Sequence, residues 1–544
     1  VCFLATAGLM LTSCSNTVLQ SNETEKPLTL TYWSEDLSED AGFQTPVAKE
    51  ISNKTDILLK AHYTTGSAAQ AVDMMIAGSS YDDFIYAKGT EYQKLVEAGA
   101  LIDLTPYIQK YGPNIRKMFG SKLKTMRYSI SNPAIYCLSS NAVDGNKLEP
   151  SYGFELQHAV VIESNYPRLK TVKDYENVLK NYLAKHKTVE GKKTRGLLLD
   201  TDDSRWFVSI ANSGCLSTGR PDDGNWVIDP LTGSATFHFL RKEEKLYYKW
   251  LNHMFNIGLL DPESFTGTHE QYLAKIETGS VLGLIDSPCG YAKAENRLIT
   301  DGKPERGYGV YPIQLTTETQ NADFEKSEYI GGYGIGISVN CKNPVRAIKF
   351  LDWYCTDEAQ ILVNWGIKGT NYTAENNGRR VISEAEWSRR NNDQDYSKQT
   401  GVGLYVYPFP TYGEGVNDAT GQPYIPRTRN RIEASYSSAA KIVLSHYNAG
   451  LWADLYPQPK AKALRKWGLA YNIPIPSGSD LEHKLAICNA DMRSGMLTCI
   501  ICPETEFDAR WDTLMKKIIS DGADSIGKQF TDLVHERIKL LSQN

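Results

Sequence analysis

The chain has 544 residues, 41% hydrophobic and 23% charged, the composition of a globular protein too long for one core, so at least two lobes are expected. A net charge of −5 with no long run of either sign excludes the basic stripe of a nucleic-acid binder. Tyr (32) outnumbers Phe (15) about twofold, which points to amphipathic rings serving polar surfaces as well as core.

The opening "VCFLATAGLMLTSC" is too short for the roughly 20 apolar residues of a membrane-spanning helix, and it reads as the apolar region and cleavage site of an export signal. It lacks Met and a basic leader, so residues 1–13 are read as a signal-peptide remnant of a chain truncated at its front. Leu11-Thr12-Ser13-Cys14 resembles a bacterial lipobox, which implies a lipid on the Cys14 sulfur and anchorage at the extracellular face of the cytoplasmic membrane. The polar "SNTVLQSNETEKP" behind it reads as a flexible tether, so 14–27 form one unit with Cys14.

"LTLTYW" alternates as a first strand, a helix follows around 45–55, and "ILLKAHYTT" is a second strand. Ser67 is placed to cap a helix ending on Gly78, "YDDFIYA" is a third strand, and "EYQKLVEAGALIDLTPYIQKYG" supplies two helices. This strand–helix rhythm predicts an α/β lobe with a mostly parallel sheet. A second lobe starts near "YGFELQHAVVIES", where Thr171 and Asp174 have capping-box spacing before an amphipathic helix. "RGLLLDT", "SRWFVSIANSG", "KLYYKWLNHMFNIGLL" and "EQYLAKIETGSVLGLIDSP" continue as strand, helix, helix and helix–turn–strand. "YIGGYGIGISVN" is a glycine-rich strand, "NPVRAIKFLDWYCTDEAQILVNWG" holds two helices, and the tail after Asn376 mixes loops with helices. The CxxC of Cys499 and Cys502 has no second CxxC or HxxxH partner, and its two Ile residues predict a buried strand.

Four stretches in this order carry a family likeness: "YQKLVEAGALIDLTPYIQKYGPNI" (Tyr92–Ile115), "YYKWLNHMFNIGLLDPESFTGTHEQYLAKIETGSVLGLID" (Tyr247–Asp286), "NPVRAIKFLDWYCTDEAQILVNWGIKGTNY" (Asn343–Tyr372) and "EFDARWDTLMKKIISDGAD" (Glu506–Asp524). With the lipobox, the chain resembles the extracellular solute-binding lipoproteins of bacterial ABC importers, carbohydrate-type family 1, in the long LplA/LipO-like subgroup of Gram-positive bacteria. The resemblance implies a two-lobed periplasmic-binding-protein-like α/β fold (type II), each lobe a mixed sheet flanked by helices, with the ligand cleft between them. The lobes are expected at 28–150 with 333–372, and at 151–332 with 373–544. It also implies a non-enzymatic monomer that closes on an oligosaccharide and delivers it to permease subunits.

A sugar site needs flat rings edged by polar groups, so rings just after strands or opening helices are the candidates. Trp33 ends the first strand beside Asp36, and reads as either platform or lobe core. Gly66 and Ser67 open a helix whose free N–H groups can donate, or serve only as its cap. Tyr86 ends the third strand. The resemblance puts Trp206, flanked by Asp203 and Arg205, at an aromatic platform; in "DSPCGYA" it has Cys289 where the family has its first aromatic and leaves Tyr291 two residues on. Tyr333 is expected near a hinge crossing, Trp353 in the core, and Tyr405 and Trp452 in loops that are as readily structural as ligand-facing.

"DTDD" (200–203) and "NAVDGN" (141–146) cluster oxygens that could ligate Ca²⁺, but neither has EF-hand spacing, and no other metal or cofactor is expected. Glu35/Asp36 and Glu39/Asp40 raise a glycoside hydrolase or lyase as the alternative, yet such enzymes need carboxylates facing each other across about 5–9.5 Å. A peptide receptor on the same fold is the third reading. No GxSxG, HExxH or P-loop is present.

Overall fold

The computed structural model describes residues 27–36, 42–64, 66–202, 205–324, 329, 331–393, 395–457 and 465–543. Cys14, the tether and Glu39/Asp40 lie outside the described residues, as does Asp203. Among the described residues no helix is long and apolar enough to cross a membrane.

The strands that build the two main sheets are β1 (Leu28–Ser34), β2 (Ile57–Tyr63), β3 (Phe84–Ala87), β4 (Leu138–Ser139), β5 (Gly153–Gln157), β6 (Arg195–Leu198), β7 (Val281–Asp286), β8 (Tyr308–Tyr311) and β9 (Gly334–Ile337). The first sheet runs β2-β1-β3-β9-β4, with β1 parallel to β2 and β3, and β9 antiparallel to β3 and β4. The second runs β8-β5-β7-β6, with only β7 and β6 parallel. Apolar side chains cover both faces of each sheet, as mixed α/β sheets require. In the first lobe Leu30, Ile51, Phe84, Ile335 and Leu351 pack on one face, and Ile85, Val72 and Leu95 on the other. In the second lobe Phe154, Leu197, Leu251 and Ile285 oppose Leu198, Leu284 and Tyr291.

Local signals act as expected at several ends. Thr171 Oγ1 accepts from Asp174 N at 3.2 Å while Asp174 Oδ2 accepts from Thr171 N at 2.8 Å, a complete capping box for Val172–Lys185. Two expectations fail. Cys499 lies in the last turn of the 22-residue helix Asp480–Ile501 and Cys502 caps it, so the Ile pair continues a long helix rather than forming a strand. The lobe boundary expected at 372/373 is also displaced: Tyr396, Val402 and Phe409 insert into the first-lobe core, and return to the second lobe comes only after them.

The described chain therefore passes between lobes along 140–152, 312–324 with 331–333, and 411–431. The first and third passages pair: Val143 N donates to Thr411 O at 2.8 Å and Asn146 N to Glu414 O at 2.9 Å. The first and second are joined by buried Asp323, whose carboxylate accepts from Lys147 Nζ at 2.7 Å and Ser151 N at 2.9 Å. Burial pushes the Asp323 carboxyl up and the Lys147 ammonium down, each opposed by the other's charge. A fourth tie comes from the C-terminal helix Ala523–Ser542, packed on the second lobe through Phe530 and Val534. Its buried Arg537 donates to the carbonyls of Thr125 (2.8 Å), Arg127 (3.2 Å) and Gly331 (3.3 Å), and burial lowers its guanidinium to about 10.

Asp323→Ala removes the carboxylate that neutralises Lys147 and leaves Ser151 N unpaired where the passages meet, Lys147 Nζ keeping only the carbonyl of residue 323. It is expected to cost about 1–3 kcal/mol, read as a lower midpoint in denaturant unfolding.

Candidate ligand cleft

The register of the sheets fixes which edges face each other. Ser34 pairs with Tyr63 and Tyr86, so the carboxyl ends of β1, β2 and β3 share one edge, and Gly334 beside Ala87 and Ser139 puts the starts and ends of β9 and β4 there too. In the second sheet Asp286 pairs with Gly153 and Tyr311 with Phe154, so the end of β7, the start of β5 and the end of β8 share an edge. The passages β4→β5 and β8→β9 run between these edges. A cleft between the carboxyl ends of two sheets is where open α/β folds bind ligands.

On the first-lobe wall, Glu35 and Asp36 follow β1 and Lys88 follows β3. Lys88 N donates to Glu35 Oε2 at 2.7 Å, and its ammonium pairs closely with Asp36 and lies 3.6 Å from Glu35 Oε1. Tyr407 donates to Asp36 Oδ2 at 2.8 Å and pairs with the Tyr86 hydroxyl. Burial raises Glu35 from 4.5 to about 7, against the pull of the Lys88 N–H and ammonium.

The second-lobe wall is built on buried Asp286, which accepts from Arg205 Nη2 and Ser287 N at 2.7 Å each and from Tyr272 at 3.1 Å. Burial raises it to about 6 while Arg205 opposes the shift. Arg205 Nε lies 3.5 Å from Asp200, which bonds His269 Nδ1 at 2.7 Å. Tyr152, just before β5, and Asp222 complete this wall; both lie within electrostatic reach of Tyr471.

Between the walls stand Tyr333 and Tyr471. Tyr333 directly precedes first-lobe β9, and Tyr471 packs against Gly224 of the second lobe, so this pair links the two lobes. They border a cavity of about 90 Å³ with Gly89 and Asn472. Gly332 is required here, since a Cβ would lie 2.3 Å from Asn472 Cγ. Asn472 is 7% exposed, yet neither its Oδ1 nor its Nδ2 has a hydrogen-bond partner, an amide left with its full capacity for a ligand. A larger cavity of about 710 Å³, lined by Tyr166, Tyr311, Gln314 and Tyr447, lies wholly on the second lobe and its outgoing passage, so closure would not bury its contents.

Of the residues expected at a site, Asp36 and Tyr333 come together on the first-lobe wall, and exposed Gly66 and Ser67 lie on the same edge, Ser67 capping the helix Ala68–Gly78. Tyr86 is fully buried in the first-lobe core and reaches Asp36 only through Tyr407. Others are core. Trp33 is 6% exposed and packs with Ile85 and Leu95. Tyr291 is turned inward by its place on the helix Pro288–Thr300 and meets Tyr308 edge-on at 5.6 Å, leaving Cys289 as the exposed residue there. Trp452 stacks on His158 against β8, and Tyr405 packs edge-on to Phe43 with its hydroxyl on Thr45. Trp206 is 7% exposed and stacked on Phe239, so it is wall structure more than platform. Trp353 is only partly buried, at the rim of the first-lobe core. At the two acidic stretches, Asp200 already faces Arg205 and His269, and Asp144 faces Lys122 at 2.8 Å. Lys88, Tyr152, Tyr407, Tyr471 and Asn472 were not anticipated, and Glu35 only as half of a carboxylate pair. Glu35 and Lys88 carry the same strand-end signal as Asp36; the C-terminal residues carry none.

Trp206→Ala is expected to destabilise the chain by about 3–5 kcal/mol in denaturant unfolding, as for a large buried ring. Between pH 4.5 and about 7 folded Glu35 holds a proton the unfolded chain has lost, so its contribution to stability falls as pH rises through that window. Glu35→Gln should therefore show a smaller decline in Tm than wild type across it.

Residues 190–361 match the model of the bacterial extracellular solute-binding protein family, a span from just before β6 through β9 and the two helices behind it. No curated protein matches the sequence. Among solved structures, the alginate-binding protein AlgQ2 without calcium ion is similar at 18% identity and TM-score 0.64, over 94% of this chain and 99% of that one. The S. pneumoniae ABC-transporter substrate-binding protein FusA (an EF-hand mutant with fructo-nystose) has 15% identity and TM-score 0.65, over 93% and 99%. An HMO-binding solute-binding protein from Bifidobacterium longum infantis has 15% and 0.63, over 94% and 99%. These are binding proteins rather than enzymes. The family model spans about a third of the chain, and the chain shares the two-lobed α/β fold of these solute-binding proteins over nearly its whole length.

Proposed function

We propose that the chain is the receptor of an ABC importer, capturing an extracellular oligosaccharide by lobe closure and delivering it to a membrane permease. The observation that carries this reading is the composition of the cleft: Tyr333, Tyr471 and Tyr152 stand beside ion-paired carboxylates and the unpartnered Asn472 amide. A sugar ring offers C–H faces to the tyrosines and hydroxyls to the amide and carboxylates. The binding of alginate, fructo-nystose and HMO by proteins of this fold supports a saccharide ligand. Ligand touches both walls only in the closed form and so shifts the population toward it, the form a permease would engage. In this reading the protein acts as a monomer and does no chemistry on its ligand. Cys14 carries a lipid that holds it on the outer face of the cytoplasmic membrane.

The test is titration with an oligosaccharide panel, following intrinsic tryptophan fluorescence and analysing the mixtures for cleavage. One saturable change without product is expected, weakened about 10-fold or more by Tyr471→Ala or Asn472→Ala, the roughly 1.4 kcal/mol of one good buried contact. Released product, or saturable binding of peptides and of no saccharide, would sink the reading. Cys14→Ser is expected to release the protein into the medium with its affinity unchanged; retention on the membrane argues against the anchor alone.

A further inference from the structure

Away from the cleft, three metal-ligating side chains converge in the second lobe. Cys215 lies on the helix Ser213–Ser217, His238 on the turn His238–Leu240, and Glu244 in the first turn of Lys242–Asn256. Their donor atoms all lie within 4.8 Å of one another, the one such trio of His, Cys, Asp and Glu among the described residues. Cys215 is 3% exposed, His238 1% and Glu244 0%.

Polar groups this deep ordinarily satisfy each other. Here they do not. Neither ring nitrogen of His238 has a hydrogen-bond partner, nor has Glu244 Oε2. His238 Nδ1 lies 3.3 Å from Glu244 Oε1 without the alignment of a hydrogen bond. Arg241 donates to Glu244 Oε1 at 3.4 Å, lies 3.7 Å from Glu243, and also donates to Thr218, which leaves Oε2 as the open carboxylate oxygen. Among the described residues Cys215 Sγ meets only the Pro221 carbonyl, at 3.9 Å. Phe207, Phe237 and Phe239 surround the imidazole, so the unmet groups face one another inside an aromatic shell. Each such group costs about 1–3 kcal/mol if nothing answers it.

We propose that Cys215, His238 and Glu244 bind a structural Zn²⁺ ion. Thiolate, imidazole and carboxylate together form a borderline-soft donor set that suits zinc and not Ca²⁺ or Mg²⁺. Tetrahedral zinc with bonds of about 2.0–2.3 Å holds its ligands about 3.3–3.8 Å apart, so the trio needs to close by about 1–1.5 Å, with a water as the fourth ligand. Thiolate and carboxylate supply two negative charges, which the divalent ion shares with the Arg241 guanidinium beside Glu244 Oε1, and the thiol proton leaves to solvent as the metal binds. Without a cation, burial and then the Glu244 carboxylate hold the Cys215 thiol protonated. The ion would pin the helix that follows Trp206 to the turn and helix behind it, stiffening the support of the Arg205 wall.

The test is zinc content of the full chain, produced with zinc and dialysed, by elemental mass spectrometry. About one equivalent is expected in the wild type and its loss in Cys215→Ser and His238→Gln. Wild-type protein refolded with Zn²⁺ should melt higher than protein refolded with EDTA. If the variants do not fold, refolding the wild type with Co²⁺ reports the ligand directly through a thiolate-to-metal charge-transfer band. A wild type that takes up neither zinc nor Co²⁺ with that band overturns the proposal, as does a folded Cys215→Ser that keeps its full zinc.

Discussion

The junction at Asp323 sets what the rest of the molecule can do. A carboxylate with so little access to water must be matched, and Lys147 Nζ and Ser151 N match it from a different passage of the chain. Two interlobe passages are thereby joined near their second-lobe ends, and the third is zipped to the first through Val143. Three passages fastened to one another permit bending about a shared axis while resisting independent drift of the lobes. The two carboxyl edges thus keep facing each other, which a single linker would not ensure.

Within that frame, the strong charges of the cleft are paired inside each lobe and not across it. Lys88 is matched by Asp36 and Glu35 on one wall, and Arg205 by Asp286 and Asp200 on the other. Opening and closing need not break these pairs, so little electrostatic work opposes the motion. The bridging surface consists of tyrosines and an amide, groups that adapt to a neutral solute without a charge to satisfy.

Elements were readable where a local rule governs them. Alternation in "LTLTYW", the Ser67 cap and the Thr171 capping box act within a few residues, and the structure follows each. The place of Asp36 and Tyr333 at strand ends on the cleft edge was legible for the same reason, whereas Tyr86, at the end of β3, is core. The failures come from parity and distance. Trp33 is the last ring of an alternating strand, and only the helix packed on that face decides that it is core. Tyr291 and Cys289 differ by two positions on a helix, enough to turn one ring inward and leave the thiol outside. Tyr471 and Asn472 reach Gly332 and Tyr333 from some 140 residues away, and no local pattern encodes that meeting. The Cys499–Cys502 run was misread because a short apolar run fits a strand or a buried helix equally well.

Arg537 carries a mechanical consequence. Its helix belongs to the second lobe, while the carbonyls it holds belong to first-lobe residues and to Gly331 at the end of a passage. A cation gripped by three carbonyls in a dry setting is a poor sliding contact, since any translation strands a donor. The lobes must therefore rotate about this place more readily than slip past it. The last helix of the chain serves as the fulcrum of a lever whose two arms end at Asp36 and Asp286.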